Sequence, residues 1–176
     1  SLKKGDRKVL LFPDTYTNYN HPQAGKAAVK VLEKAGIHVE TPENVVSTGR
    51  PAHSKGFLDI SRERARTNVT ALVPYIEDGW DIVLIEPSDA VMFQSDYLDL
   101  LTGRDVERVA TNTYGIMEYL EQFELASELP AADPEEQLTY HGHCHQKATK
   151  KDGYAARVLE TVGYEVDELD SGCCGM

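Results

Sequence analysis

Three cysteines carry most of the chemistry this chain could do. Cys144, Cys173 and Cys174 are all the cysteines it has, and His141, His143 and His145, half of its six histidines, stand beside the first of them. Thiolate and imidazole are the soft, deprotonatable donors that zinc and iron-sulfur clusters select. Their concentration between Tyr140 and Met176 reads as a metal or redox site.

The elements that must bring these groups together can be read from the residues between them. Cys144 follows one apolar run, and the Cys173-Cys174 pair follows another, Tyr164-Glu165-Val166-Asp167-Glu168-Leu169. Between the runs, Ala155, Val158, Leu159 and Val162 recur at helical spacing. A strand-helix-strand unit joined right-handedly sets two parallel strands side by side. Residues just past their carboxyl ends then share the crevice where open α/β sheets bind ligands, so three sulfurs could meet there. If the first strand continues to His145, alternation turns His141, His143 and His145 to one side and Cys144 to the other. The histidines would then hydrogen-bond backbone carbonyls and shape the crevice, with His143 or His145 a supporting donor behind the metal ligands or an occasional zinc ligand.

With 176 residues the chain suits one domain or two small fused halves, and it needs no disulfides to bury a core. An odd cysteine count excludes a complete disulfide framework, and the adjacent pair favours a reducing compartment. The formal charge of −11 disfavours phosphate backbones, so nucleic acid is not an expected partner. No apolar stretch approaches the roughly 20 residues of a transmembrane helix. The expected location is the cytoplasm, including peripheral attachment at the inner membrane through partners. A start at Ser1-Leu2 and a stop directly after the cysteine motif suggest a piece of a longer protein.

Patterning gives an α/β fold: two pseudo-repeated Rossmann-like halves with mostly parallel strands flanked by helices. Lys8–Phe12 reads as a buried strand, 22–35 as a helix closed by Gly36, 37–40 as the next strand and 54–77 as one long helix with a kink at Pro74. Asp81–Ile85 is the strongest strand pattern, and helices are expected over 93–101 and 106–123. The expected organisation is residues 1–123 as a first repeat with its helices, 124–136 as connector and 137–176 as the start of a second, cysteine-bearing repeat. Val31-Leu32-Glu33-Lys34-Ala35-Gly36-Ile37-His38-Val39 matches Val158-Leu159-Glu160-Thr161-Val162-Gly163-Tyr164-Glu165-Val166 at five of nine positions, an offset of 158 − 31 = 127. In that register Cys144 falls on Thr17 and, with a one-residue slip, Cys173-Cys174-Gly175 falls on Ser47-Thr48-Gly49.

His141-Gly142-His143-Cys144-His145-Gln146-Lys147 and Ser171-Gly172-Cys173-Cys174-Gly175-Met176 resemble the cysteine-rich CCG domain of heterodisulfide reductase, of glycolate oxidase iron-sulfur proteins and of FAD-linked D-lactate and D-2-hydroxyglutarate dehydrogenases. The likeness extends through Phe12-Pro13-Asp14-Thr15, Gly49-Arg50-Pro51, Ser54-Lys55-Gly56 and Glu86-Pro87-Ser88. It implies two repeats holding an iron-sulfur cluster or zinc. Cys144, Cys173 and Cys174 match the second repeat's ligands, with Gly175 turning the chain beside the cofactor. It also implies partners, flavin-containing and ferredoxin-like domains or subunits, with FAD held on a separate domain or subunit that oxidises a small 2-hydroxy acid. The first repeat departs from the pattern, since Thr17, Ser47-Thr48 and Asp89 stand where cysteines would be expected. Because a ligand is missing at the chain end, this piece alone is expected to be metal-free or to hold adventitious zinc.

Other residues keep open roles. Asp89 could be a carboxylate ligand, a charge partner for Arg50 or a helix N-cap. Lys147, Lys150 and Lys151 read as a solvated helix face, or as charges that stabilise thiolates. The expected role is electron relay in an oxidoreductase. The rivals are a structural or partner-binding domain with zinc or no metal, and a thiol enzyme with Cys144 as nucleophile and a distant base such as His53.

Overall fold

The structure, a computed structural model, describes residues 7–132, 137–170 and 172. The chain divides into two compact units, Ser1–Gly115 and Ile116–Met176.

In the first unit the sheet grows from the two most apolar runs. Strand β1 (Lys8–Leu11) leads into helices α1 (Thr15–Tyr19) and α2 (Pro22–Lys34), then β2 (His38–Glu40), α3 (Arg50–Ser54), α4 (Leu58–Glu77) and β3 (Trp80–Leu84). Helices α5 (Pro87–Val91) and α6 (Tyr97–Leu100) flank a π-helical turn, Met92–Asp96, and α7 (Arg104–Thr111) precedes β4 (Thr113–Gly115). All four strands are parallel in the order β2-β1-β3-β4, with Lys8 opposite both His38 and Trp80. Val9, Leu10, Ile82, Val83 and Leu84 are wholly buried, as central parallel strands covered on both faces must be. Phe12 meets Phe93 edge-on at 5.0 Å, and Phe93 meets Tyr97 at 4.6 Å, which seats the π-turn region on the core.

This order puts the topological switch point between β1 and β3, whose carboxyl ends run into Pro13-Asp14 and Ile85-Glu86. Two expectations are corrected here. The 54–77 segment is not one helix: the chain breaks at Gly56, which takes φ +79°, and restarts at Leu58. The 106–123 segment is not one helix either, because β4 pairs with β3 through Ile82–Thr113, Val83–Tyr114 and Leu84–Gly115 and splits it.

The second unit holds α8 (Ile116–Gln122), a 3₁₀ turn (Ala126–Glu128), β5 (Gln137–Tyr140), α9 (Cys144–Ala148), α10 (Gly153–Thr161) and β6 (Glu165–Glu168). Strands β5 and β6 are parallel, with Tyr140 opposite Glu168, and form the expected strand-helix-strand unit. Lys151 is no solvated lysine: its ammonium lies 2.6 Å from the nearly buried carboxylate of Glu118 on α8. Arg157 on α10 likewise donates to Glu121 at 2.7 Å.

The nine-residue match extends to backbone geometry. At the end of α2, Ala35 N–H donates to Val31, Gly36 to Glu33 and Ile37 to Leu32; at the end of α10, Val162 donates to Val158, Gly163 to Glu160 and Tyr164 to Leu159. These are the same bonds 127 residues on, since 162 − 35 = 127, and both glycines take positive φ, +78° and +109°. Each helix is thus closed by one left-handed glycine that turns the chain straight into the next parallel strand.

Candidate metal centre

The second-unit site is built by two strand tips that end together. Leu169 N–H, one residue past β6, donates to the Tyr140 carbonyl at 2.9 Å, so the exits of β5 and β6 stay paired. Beyond that pair, the His141 Nε2–H donates to the Gly172 carbonyl at 2.9 Å. That bond ties the segment before Cys144 to the residue immediately before Cys173. Cys173, Cys174 and Gly175 themselves lie outside the described residues.

Cys144 is not on a strand. Strand β5 stops at Tyr140, and Cys144 is the first residue of α9, half-buried and free. The expected alternation therefore fails, and with it the separation of cysteine from histidine. His143 is the helix N-cap, its Nδ1 accepting from His145 N–H at 3.3 Å. Its ring stacks on His145 with centroids 5.4 Å apart. Cys144 Sγ lies 4.0 Å from His145 Nδ1. One donor atom from each of His143, Cys144 and His145 lies within 4.8 Å of the others.

A zinc ion with Zn–S of about 2.3 Å and Zn–N of about 2.0 Å at a tetrahedral angle sets sulfur and nitrogen roughly 3.5 Å apart. The observed 4.0 Å is within a small side-chain adjustment of that figure. This donor set therefore fits a thiophilic metal. The turn that makes it is crowded: a Cβ on Gly142 would stand 3.0 Å from Lys147 Cε and 3.1 Å from Asp152 Cβ, so the approach to Cys144 suits a residue without a side chain.

In the first unit, past the carboxyl ends of β1 and β3, the corresponding positions carry oxygen donors. Asp14 caps α1, its Oδ1 accepting from Thr17 N–H at 2.7 Å. Thr48 donates through a short hydrogen bond to Asp89, and its own hydroxyl oxygen accepts from Arg50 N–H at 3.2 Å. The loop around Thr48 is pinned further. Tyr97 OH donates to the Thr48 carbonyl at 2.8 Å, Asn68 donates to Tyr97 OH at 3.0 Å, and Val46 N–H donates to Asn68 Oδ1 at 2.9 Å. Arg64 donates to the Ser47 hydroxyl at 2.6 Å. Gly49 takes φ +90°, and a Cβ there would meet Ser61 Cα at 3.4 Å.

One expected role for Asp89 changes. Glu86, not Asp89, caps α5 by accepting from Ser88 N–H. Arg50 pairs with Asp96 and donates to the Ser88 carbonyl at 3.2 Å; it acts on Asp89 through its charge, without a hydrogen bond. Burial pushes the Asp89 carboxyl up to about 6, with the Asp14 and Glu86 charges adding, against the Thr48 hydrogen bond and Arg50. Burial raises the Tyr97 phenol as well. Sequence reasoning missed Asp14, Asn68, Tyr97 and Asp96. The available signal for Asp14 was an acid just past a strand-ending proline and three residues before Thr17.

No helix among the described residues is long and apolar enough to cross a membrane. No protein-family model matches the chain. It is 26% identical over 179 aligned residues to one of the subunits of the anaerobic glycerol-3-phosphate dehydrogenase of Escherichia coli strain K12, covering 96% of this chain and 43% of that protein. It is 28% identical to lactate utilization protein A of Shouchella clausii, covering 95% and 71% of the two chains, and 27% identical to that of Geobacillus thermodenitrificans, covering 96% and 72%. The chain thus spans less than half the length of the dehydrogenase component it matches, and is similar over nearly all of itself to proteins named for glycerol-3-phosphate dehydrogenation and lactate use.

Proposed function

We propose that this chain is the electron-relay part of an oxidoreductase, with an iron-sulfur centre held by Cys144, Cys173 and Cys174 at the tips of β5 and β6. The observation that carries this reading is the His141–Gly172 bond beyond the Leu169–Tyr140 pair. It leaves Cys144 three residues after one end of a hydrogen bond and Cys173 one residue after the other. When bound, the cluster would accept and pass on single electrons. The chain's own part is to hold the thiolates. Gly142 leaves the turn clear, the His143 cap fixes the start of α9, and the His141 bond keeps the second strand exit in place. A flavin-bearing partner, with ferredoxin-like domains or subunits beside it, is the expected electron source. The similarity to proteins named for glycerol-3-phosphate dehydrogenase and lactate utilization supports a small hydroxylated substrate oxidised elsewhere in the assembly. Cytoplasmic placement, peripheral at a membrane through partners, follows from the same reading.

The test is iron and acid-labile sulfide analysis, with the visible spectrum, of full-length protein purified without oxygen. Iron and sulfide in the protein, lost in Cys144→Ser, are expected; colourless protein without iron would contradict the proposal. A second reading has its own support in the His143, Cys144 and His145 donors lying within 4.8 Å of one another, a mixed nitrogen and sulfur set that suits zinc. Stoichiometric zinc in the anaerobic protein, with no iron, would favour it.

A further inference from the structure

The first unit has no thiols, yet it keeps the crevice at the carboxyl ends of β1 and β3. Thr17, Thr48 and Asp89 stand where the family resemblance implies cysteine, Asp14 lies three residues before Thr17, and each of the four is less than a tenth exposed. Replacing sulfur by hydroxyl and carboxylate oxygen converts a soft donor set into a hard one.

One atom in this crevice is unaccounted for. Asp14 is wholly buried; its Oδ1 accepts from Thr17 N–H, while its Oδ2 has no hydrogen-bond partner among the described residues. A buried carboxylate oxygen with nothing to pair it is strongly unfavourable. Asp14 and Glu86 both act on Asp89 as like charges close enough to disfavour its ionised form. The hydrogen bonds of the nearby bases go elsewhere, with Arg50 reaching Asp89 only through its charge: Arg50 holds Asp96, the Ser88 carbonyl and His53 Nδ1, and Arg64 holds the Ser47 hydroxyl. No basic side chain among the described residues hydrogen-bonds Asp14 or Asp89.

We propose that the first unit binds a hard divalent cation between Asp14 and Asp89, with the Thr48 hydroxyl oxygen as a neutral third donor. Thr48 Oγ1 donates one bond and accepts one, from Arg50 N–H, which leaves it a lone pair. Two carboxylates and one hydroxyl suit the six-coordinate Mg²⁺ or Mn²⁺, with water completing the shell, better than Ca²⁺, which takes six to eight oxygen ligands, often with bidentate carboxylates and carbonyls among them. The site is independent of the thiols and of the electron-relay reading.

The test is Mn²⁺ titration of the chelator-stripped full chain with its cysteines alkylated, followed by the loss of the free Mn²⁺ resonance signal. One bound Mn²⁺ per chain is expected, displaced by Mg²⁺, with affinity reduced at least tenfold in Asp14→Asn and Asp89→Asn and unchanged in Cys144→Ser. Should either Asn variant fail to fold, the wild type still decides: its melting temperature must rise as Mn²⁺ or Mg²⁺ is added, and Thr48→Val must weaken that rise. No Mn²⁺ uptake at millimolar concentration with an unchanged melting temperature would overturn the proposal. So would binding that survives both Asn variants.

Discussion

The two units use one backbone device for opposite ends. Each leads a parallel strand into a short helix, then a longer helix closed by a left-handed glycine and a second strand, with the same three closing bonds 127 residues apart. In the second unit the short helix begins with Cys144, and its surroundings are half-exposed imidazoles. In the first, the aligned helix carries Thr17, and the loop that matches the cysteine pair is held by Asn68, Tyr97, Arg64 and Asp89. The difference teaches that the loop at this place in the fold can be held, without any thiol, by a buried hydrogen-bond network, provided nearly every polar atom finds a partner. Among the described residues, Asp14 Oδ2 is the exception.

The largest expected effect breaks this comparison at the thiol side. Cys144→Ser should abolish metal binding in the second unit, while the thermal stability of the metal-free chain changes by well under about 1 kcal/mol, since the residue is half-exposed. Metal analysis and thermal melts of stripped protein check both halves of that statement. A matching loss of stability in the metal-free state would mean Cys144 is a packing residue.

The next effect lies on the oxygen side. Asp89 titrates at about 6 folded against 3.8 for the ordinary carboxyl, so between those values the folded chain holds a proton that the unfolded chain has released. Stability should therefore fall as pH rises through that window. At about 1.4 kcal/mol per unit the loss is on the order of 3 kcal/mol, complete above pH 6 and absent below 3.8. Urea unfolding with chelator present, from about pH 4 to 7, measures this slope. Asp89→Asn should flatten it; an unchanged slope would remove Asp89 as its source.

A smaller effect sharpens the likeness itself. Gly36 and Gly163 both take positive φ, and a Cβ at either would meet no atom closer than ordinary van der Waals contact. Alanine at either should cost about 1 kcal/mol through backbone strain alone. Equal costs in denaturant unfolding support one shared closure, whereas a cost at only one of them would make the sequence match a coincidence of helix caps.

Much of this was legible in the residues. The continuous apolar runs Val9-Leu10-Leu11 and Ile82-Val83-Leu84 marked the two central strands, and the spacing of Ala155, Val158 and Val162 marked the crossover helix between β5 and β6. Strand β4 was not legible, because three residues, Thr113-Tyr114-Gly115, interrupt an apolar period that runs on either side of them. Nor was the end of β5: alternating histidines look like a strand, but the N-cap geometry at His143 starts a helix one residue later. The network around Thr48 and Asp89 joins residues 41 apart in sequence and leaves no local pattern. What a polar side chain far from its partner will do is a tertiary fact.

Counting reactive thiols in the anaerobic, metal-loaded full-length protein tests the convergence of the second unit most directly. The account predicts that Cys144, Cys173 and Cys174 are protected together and that a chelator releases all three in one phase. Cys144 reacting freely while the vicinal pair stays protected would contradict it.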